Sequence, residues 1–458
     1  MKNIDFIFTF EHKARELDNI CLLSYELQRR GYSTDIINIR DSVRANKNLF
    51  KATVGVVPAA YDNKSLFYSF ADSIEVDKVV NMQWEQVFSV HQEKDLQSRR
   101  NITDIARDVV HLSWGKRNRD RLVGVCEINP DKVKITGHIA MDFLRPEFSS
   151  FYKTRTELFE EHNIPLDNKV CVFLSSFTST GALKEEIDKA ARTLGTQIYD
   201  RRIVSIKTQK EILRWIKKFL EKHPEISFVY RPHPAERDNE EIERMVQELS
   251  NFYVIRDYSV KQWIITADIL YTWCSTSIVE AFFAGKVCHV LRPLNLPADL
   301  DMMIYQGGHF VESYDQFSKS VFDSSCEFPL SKDLIYQYYS KTTEKPIYMK
   351  IADVLEDVYQ DKNYDLTEEQ KREIPYGLSA DGELKLVRKI KNIVKKTFLS
   401  NWYYSIMLSE RDYKFFPEKL RRKKAHYRIL EEDNKRKNAT KNEINLILQK
   451  ISNLNLGT

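Results

Sequence analysis

Apolar residues in this chain come in short bursts, and between the bursts they recur at helical spacing. Residues 4–10 (IDFIFTF) make a run fit for a buried strand. Leu17, Ile20, Leu23 and Leu27 then fall on one face of a helix that Gly31 ends, and STDIINI supplies the next strand. Further short runs follow in TVGVV (53–57), KVVNM (78–82), DVVHL (108–112) and KVKIT (132–136), with polar or helical stretches between them. Strands alternating with helices predict a mainly parallel sheet covered on both faces, a doubly wound α/β domain over residues 1–145. Residues 146–166 are polar and punctuated by proline, and read as a linker. VCVFL (170–174) opens a second alternating series: helix 208–222, strand 226–230, helix 238–249, strand 252–255, helix 259–266, strand 268–272, helix 276–285 and strand 287–291. That series predicts a second Rossmann-like domain over 167–345. From 346 to 458 helical, lysine-rich sequence takes over. Two such domains in tandem place the carboxyl ends of both sheets around one cleft, where ligands of open α/β sheets bind.

Composition narrows the class. With 42% hydrophobic, 30% charged and 12% aromatic residues among 458, the chain is globular. Only 13 glycines occur, and neither G-x-G-x-x-G nor G-x-x-x-x-G-K-[ST] is present, which disfavours a glycine-loop dinucleotide site and a P-loop. The cysteines at 21, 126, 171, 274, 288 and 326 form no C-x-x-C pair and read as buried thiols. The first residues (MKNIDFIFTFEHK) carry Asp5 and lack a cleavage site, and no apolar stretch is long enough to span a bilayer. A cytoplasmic protein is expected. The net charge of +4 conceals an uneven distribution: residues 385–428 carry +11 and the remainder −7. That basic segment is interleaved with Trp402, Tyr403, Phe415 and Phe416, a pattern suited to peripheral attachment at an anionic membrane face or to a solvated helical arm. No recognition fold for nucleic acid surrounds it.

Candidate chemistry gathers at strand ends. The predicted strand ISFVY runs into Arg231-Pro232-His233-Pro234, where two prolines stiffen a turn carrying a guanidinium and an imidazole, both suited to phosphate oxygens. The next such end, DILYTW, runs into Cys274-Ser275-Thr276-Ser277 at the start of a helix, either a plain N-cap or an anion site, with Glu280 one turn in. On the N-terminal side Glu11 and His12 follow the first strand, and Arg15 sits just inside the next helix. Glu85, His138 and Asp142 are further cleft candidates. No H-E-x-x-H occurs, and the D-L-D at 299–301 reads as a loop, so no metal site is expected.

The segments FEHKARELDNICLLSYELQRRGY, KVKITGHIAMDF, YRPHPAE and CSTSIVEAFFAGKV resemble the bacterial surface-carbohydrate biosynthesis proteins, which are similar to GT-B glycosyltransferases. The Arg-Pro-His-Pro turn and the Ser/Thr group also resemble the HP and Ser-Ser/Thr motifs of sialyltransferases, capsule Kdo transferases and teichoic-acid glycerophosphotransferases. The resemblance spans roughly residues 1–320. It implies a GT-B fold, no cofactor, and metal-independent, inverting transfer of a sugar, for instance a Kdo-like one, from a CMP-, CDP- or UDP-activated donor to a glycan or lipid-linked acceptor. Arg231, His233, Ser275, Thr276 and Ser277 would hold the donor phosphate, Glu280 the ribose, and Glu11 beside His12 would serve as base. The acidic D/E-D/E-G triplet of sialyltransferases is missing from residues 1–145, which leaves the base open among these groups. Three other readings stay open: a polyol-phosphate transferase, a UDP-sugar 2-epimerase whose Asp-Ser-Gly-Gly segment is here Cys274-Ser275-Thr276-Ser277, and a non-catalytic assembly subunit.

Overall fold

The computed structural model describes residues 2–39, 50–70, 74–94, 101–323, 327–341, 343–374, 437–454 and 456. The basic segment 385–428 assigned to a membrane surface, and Cys326, lie outside the described residues.

Two all-parallel sheets make up the body. The first contains β1 (Lys2–Phe10), β2 (Thr34–Asn38), β3 (Phe50–Val57), β4 (Ile74–Asn81), β5 (Val110–Ser113) and β6 (Val133–Ile135), in the order β2-β1-β3-β4-β5-β6. The second contains β7 (Lys169–Leu174), β8 (Ile226–Arg231), β9 (Phe252–Val254), β10 (Ile269–Thr272) and β11 (Cys288–Val290), in the order β11-β10-β7-β8-β9. The order reverses at β1 in one sheet and at β7 in the other. Such a reversal leaves a crevice at the carboxyl ends of the strands, because the flanking connections leave on opposite faces. The expected α/β class is what the chain adopts.

Five helices matter for the site: α1 (Lys13–Arg29), α2 (Val260–Thr266), α3 (Ser277–Phe283), α4 (Ile347–Gln360) and α5 (Lys441–Ser452). Helix α1 buries Leu17, Ile20, Leu23 and Leu27, the stripe read from the sequence, and Gly31 follows its end at φ +94°, a conformation only glycine takes without strain. The helix expected at 208–222 begins earlier, at Gln197, and runs to Leu220. Its first turns expose Tyr199, Ile203 and Ile206, so no buried stripe marks them in the sequence. Helices α4 and α5, from the far end of the chain, return to pack on α1. Arg30 pairs with Asp353 at 3.0 Å, and Lys13 with Glu443 at 2.5 Å.

The segment between the sheets is packed rather than loose. Phe143 packs tilted against Phe148 and edge-on against Phe151, each pair 5.0 Å between centroids, and all three are buried in a cluster that runs continuously from α1 through the connection to Ile264, Ile278 and Val279. A fully buried phenylalanine contributes roughly 1.5–3 kcal/mol, so this cluster holds the connecting segment against both halves.

Inside the first sheet His111 is fully enclosed. Its Nε2–H donates to the Ala106 carbonyl at 2.8 Å, and its Nδ1 accepts from the Asn81 side-chain amide at 3.0 Å. Burial pushes its pKa down to about 4. As pH falls through the unfolded-chain value of ~6.5, the unfolded state binds the proton first, so this residue's contribution is intact at pH 7 and is lost down to about pH 4. Urea unfolding at pH 7 and pH 5 should therefore differ by ~2 kcal/mol more in the parent than in His111→Gln.

Candidate functional site

The chain-order reversals place two groups of residues opposite each other. From the second sheet come the turns after β8 and β10, which flank the end of β7. Neighbouring strands lie ~4.8 Å apart, so the two turns stand about 10 Å from one another. Hydrogen bonds through β7 tie them together. The Glu236 carboxylate, fully buried, accepts from the Ser175 hydroxyl, from Tyr230 Oη at 2.6 Å, from Gln209 Nε2 at 2.9 Å and from the His233 backbone N–H at 3.1 Å. The next residue, Ser176, accepts the Cys274 N–H through its hydroxyl at 3.3 Å. A buried carboxylate is stable only when its lone pairs are filled, and here that requirement holds the Pro-His-Pro turn in place. Burial nevertheless raises the Glu236 pKa.

His233 Nδ1 accepts from the Ala235 N–H at 3.1 Å, which leaves the proton on Nε2. Burial, with the Arg15 and Lys437 cations nearby, pushes its pKa down to about 4, so the ring is neutral at pH 7. His138 repeats the device: Nδ1 accepts from the Ala140 N–H at 3.1 Å, and Trp114, at 3.9 Å between centroids, with Trp84 and Tyr339 encloses the ring. Burial and the Lys261 and Arg15 cations push it down to about 3. Both imidazoles thus offer Nε2–H as a donor without carrying charge.

Arg15 reaches both of them electrostatically and is held from two sides. Its Nε and Nη2 donate to Glu16 Oε1 at 3.0 and 2.6 Å, and its Nη1 to Glu85 Oε1 at 2.9 Å. Glu16 is fully buried and also takes the Glu11 N–H at 2.8 Å, which fixes the turn carrying Glu11 and His12. The Glu11 carboxylate lies 3.7 Å from His12 Nε2, with 40% of its side chain exposed. Gln83, two residues past the end of β4, takes φ +44°, a strained conformation for a non-glycine residue, in the turn that leads to Glu85.

The structure therefore gathers Arg15, Glu85, His138 and His233 in one neighbourhood, with Glu11 and His12 on the adjoining turn. Glu280 faces Lys261 at 3.6 Å, both largely buried. At the start of α3, Ser275 Oγ accepts the Ser277 N–H at 3.3 Å, and Thr276, at the N-cap position, makes no side-chain cap. Thr276 is exposed and its hydroxyl makes no hydrogen bond among the described residues, while the Ser275 bond is of the kind a plain cap makes, so both readings of this turn stand.

Two expected ligand contacts take other partners. The Arg231 guanidinium donates to the carbonyls of Ile255 at 3.2 Å, Asp257 at 2.8 Å and Tyr258, so it clamps the loop after β9 where a phosphate contact was expected. Asp142, expected at the cleft, accepts the N–H groups of Ile347 at 3.0 Å and Tyr348 at 2.6 Å, because the first turn of α4 has donors with no partner of their own. Burial raises its pKa to about 6. The second aspartate of D-L-D, Asp301, holds Arg292 at 2.9 and 3.0 Å. Among the described residues no cluster of three or more His, Cys, Asp or Glu is arranged for a metal ion, and no helix is long and apolar enough to cross a membrane. Glu236 and Lys261 were not singled out from the sequence. The carboxylate three residues after His233 was a usable signal for the first; nothing in the sequence marks the second as buried.

No protein-family model matches this chain, and no curated protein does. Among solved structures it is similar to a variant of the wall teichoic acid polymerase TagF, at 12% identity over 78% of this chain and 89% of that chain, with a TM-score of 0.50. It is also similar to the UDP-GlcNAc 2-epimerase of Neisseria meningitidis, at 13% identity over 86% and 100% with a TM-score of 0.40. A third is MnaA of S. aureus, at 12% over 78% and 96% with a TM-score of 0.43. These neighbours are enzymes, and the likeness is one of fold: two parallel-sheet α/β domains of the GT-B kind with a helical C-terminal region.

Replacing Arg231 with Ala leaves three loop carbonyls without their donor and should cost about 2–4 kcal/mol in urea unfolding, with new proteolytic cleavage in 255–259. Arg231→Lys should not restore it, since one ammonium cannot reproduce the fork.

Proposed function

We propose that this protein is a transferase that moves a sugar, or a polyol phosphate, from a nucleotide-activated donor to a glycan acceptor in surface-polysaccharide synthesis. The observation that carries the reading is the coupling of the His233 turn to the Ser275–Ser277 turn through Ser175 and Ser176 at the reversal point of the second sheet. His233 Nε2–H and the hydroxyls of Thr276 and Ser277 would contact the donor's phosphate oxygens. Neutral donors suit this task, since they stabilise charge building on the leaving phosphate without a bound counter-charge that must first be displaced. Glu280, held by Lys261, would take the ribose, and Arg231 would position the loop beside it. Glu11 would remove the acceptor proton, with His12 orienting it. A membrane-linked acceptor would place the enzyme at the cytoplasmic membrane face through 385–428.

The 2-epimerase reading rests on the same fold and on the gathering of Glu85, His138 and His233 in one neighbourhood, and it needs no acceptor. Incubation with UDP-N-acetylhexosamine alone separates the two: conversion without acceptor selects the epimerase.

A thermal-shift panel of CMP, CDP, UDP and GDP should raise the melting temperature with at least one nucleotide, and His233→Ala should abolish that rise. Glu11→Ala should keep the rise and lose at least about a hundredfold in turnover. No shift with any nucleotide overturns the transferase reading, and unimpaired turnover in the Glu11 variant removes it as base.

A further inference from the structure

A cavity of about 670 Å³ opens between α1, the segment joining the sheets, the loop after β9 and α5. Its size is that of a small-molecule site. Lys13 and Ala14 line it directly after Glu11 and His12, and Pro232 and Pro234 line it on either side of His233. It therefore abuts both halves of the site described above.

The chemistry of its wall is selective. Phe151, Tyr152 and Tyr258 present aromatic surface, with Leu17 and Ile447 beside them. Most of its cations are already committed. Lys13 pairs with Glu443, Arg231 is spent on three carbonyls, and Arg256 bonds Asp238 at 3.0 Å and the Glu236 carbonyl at 3.1 Å. Lys450 lies over the Phe151 ring at 4.5 Å. Asp18 makes no hydrogen bond or ion pair among the described residues, although it lines the cavity, and the Tyr152 hydroxyl is buried without a partner. Lys261 and Lys450 act on Asp18 only through space, and burial raises its pKa.

A phosphate would meet a carboxylate that has no direct partner here and cations that are mostly committed. A neutral, hydroxyl-rich ring meets what it needs: apolar faces for its C–H groups, and an unfilled acceptor for its O–H groups. We propose that this cavity is a carbohydrate subsite that takes an uncharged pyranose unit, with Asp18 accepting its hydroxyl hydrogens and α5 closing one wall. On the transferase reading, from which this inference draws the name of its ligand, the occupant is the terminal sugar of the acceptor, whose free hydroxyl points to the Glu11–His12 turn.

The test is saturation-transfer NMR on the full chain, with methyl β-D-glucopyranoside and N-acetylglucosamine as probes. Transfer to at least one of them is expected. Asp18→Asn should weaken it about tenfold, or about 1.4 kcal/mol, while leaving the melting temperature equal or higher, because it removes an unpaired buried charge. Ala14→Trp, at an exposed position on the cavity rim, should block the same signal by filling the space. Absence of transfer from both sugars, or transfer retained in both variants, overturns the proposal. The nucleotide thermal shift reports separately: if it persists while sugar transfer is absent, the subsite fails alone, and if no nucleotide shifts the protein, the transferase reading fails instead.

Discussion

The packing of Phe143, Phe148 and Phe151 between the two sheets is the contact on which the site depends. Each half carries only part of the constellation: Glu11, Arg15, Glu85 and His138 on one side, His233, Ser275–Ser277 and Glu280 on the other. A polar, flexible connection would leave these groups free to separate. The aromatic cluster instead extends the core of the first domain into the second, so that strand ends of both sheets meet across a fixed gap. Helices α4 and α5 reinforce the arrangement by packing on α1, the helix whose first turn carries Arg15.

Within that gap the electrostatics follow one pattern. Two of the cations near the histidines have carboxylate partners, Arg15 in Glu16 and Glu85 and Lys261 in Glu280. The histidines are neutral because burial and the same cations disfavour the imidazolium, and each tautomer is set by a backbone N–H two residues downstream. The result is a set of oriented donors with little net charge, bordered by a cavity whose free group is a carboxylate. On the proposed reading, donors for a phosphate and an acceptor for hydroxyls lie side by side.

Much of the second-domain site was legible in order along the chain. Arg-Pro-His-Pro and Cys-Ser-Thr-Ser each follow a short apolar run and precede a helix, and parallel strands bring such turns to one edge. What the sequence did not show is where each polar group spends its hydrogen bonds. Arg231 looks like a phosphate ligand until the loop 255–258 folds against it. Asp142 looks available until α4, two hundred residues later, presents two unpaired N–H groups. Nothing in the sequence marks Asp18 or Lys261; the cavity beside the first and the burial of the second come from α5 and the connecting segment packing nearby.

Local periodicity and chain order are enough to specify the two parallel α/β layers, the positions of their strand ends and the stripe that docks α1. Which side chains remain free to meet a ligand depends instead on long-range packing. Hydrogen-bond capacity is exhausted by whichever partner the fold brings nearest, and those partners come from distant parts of the chain.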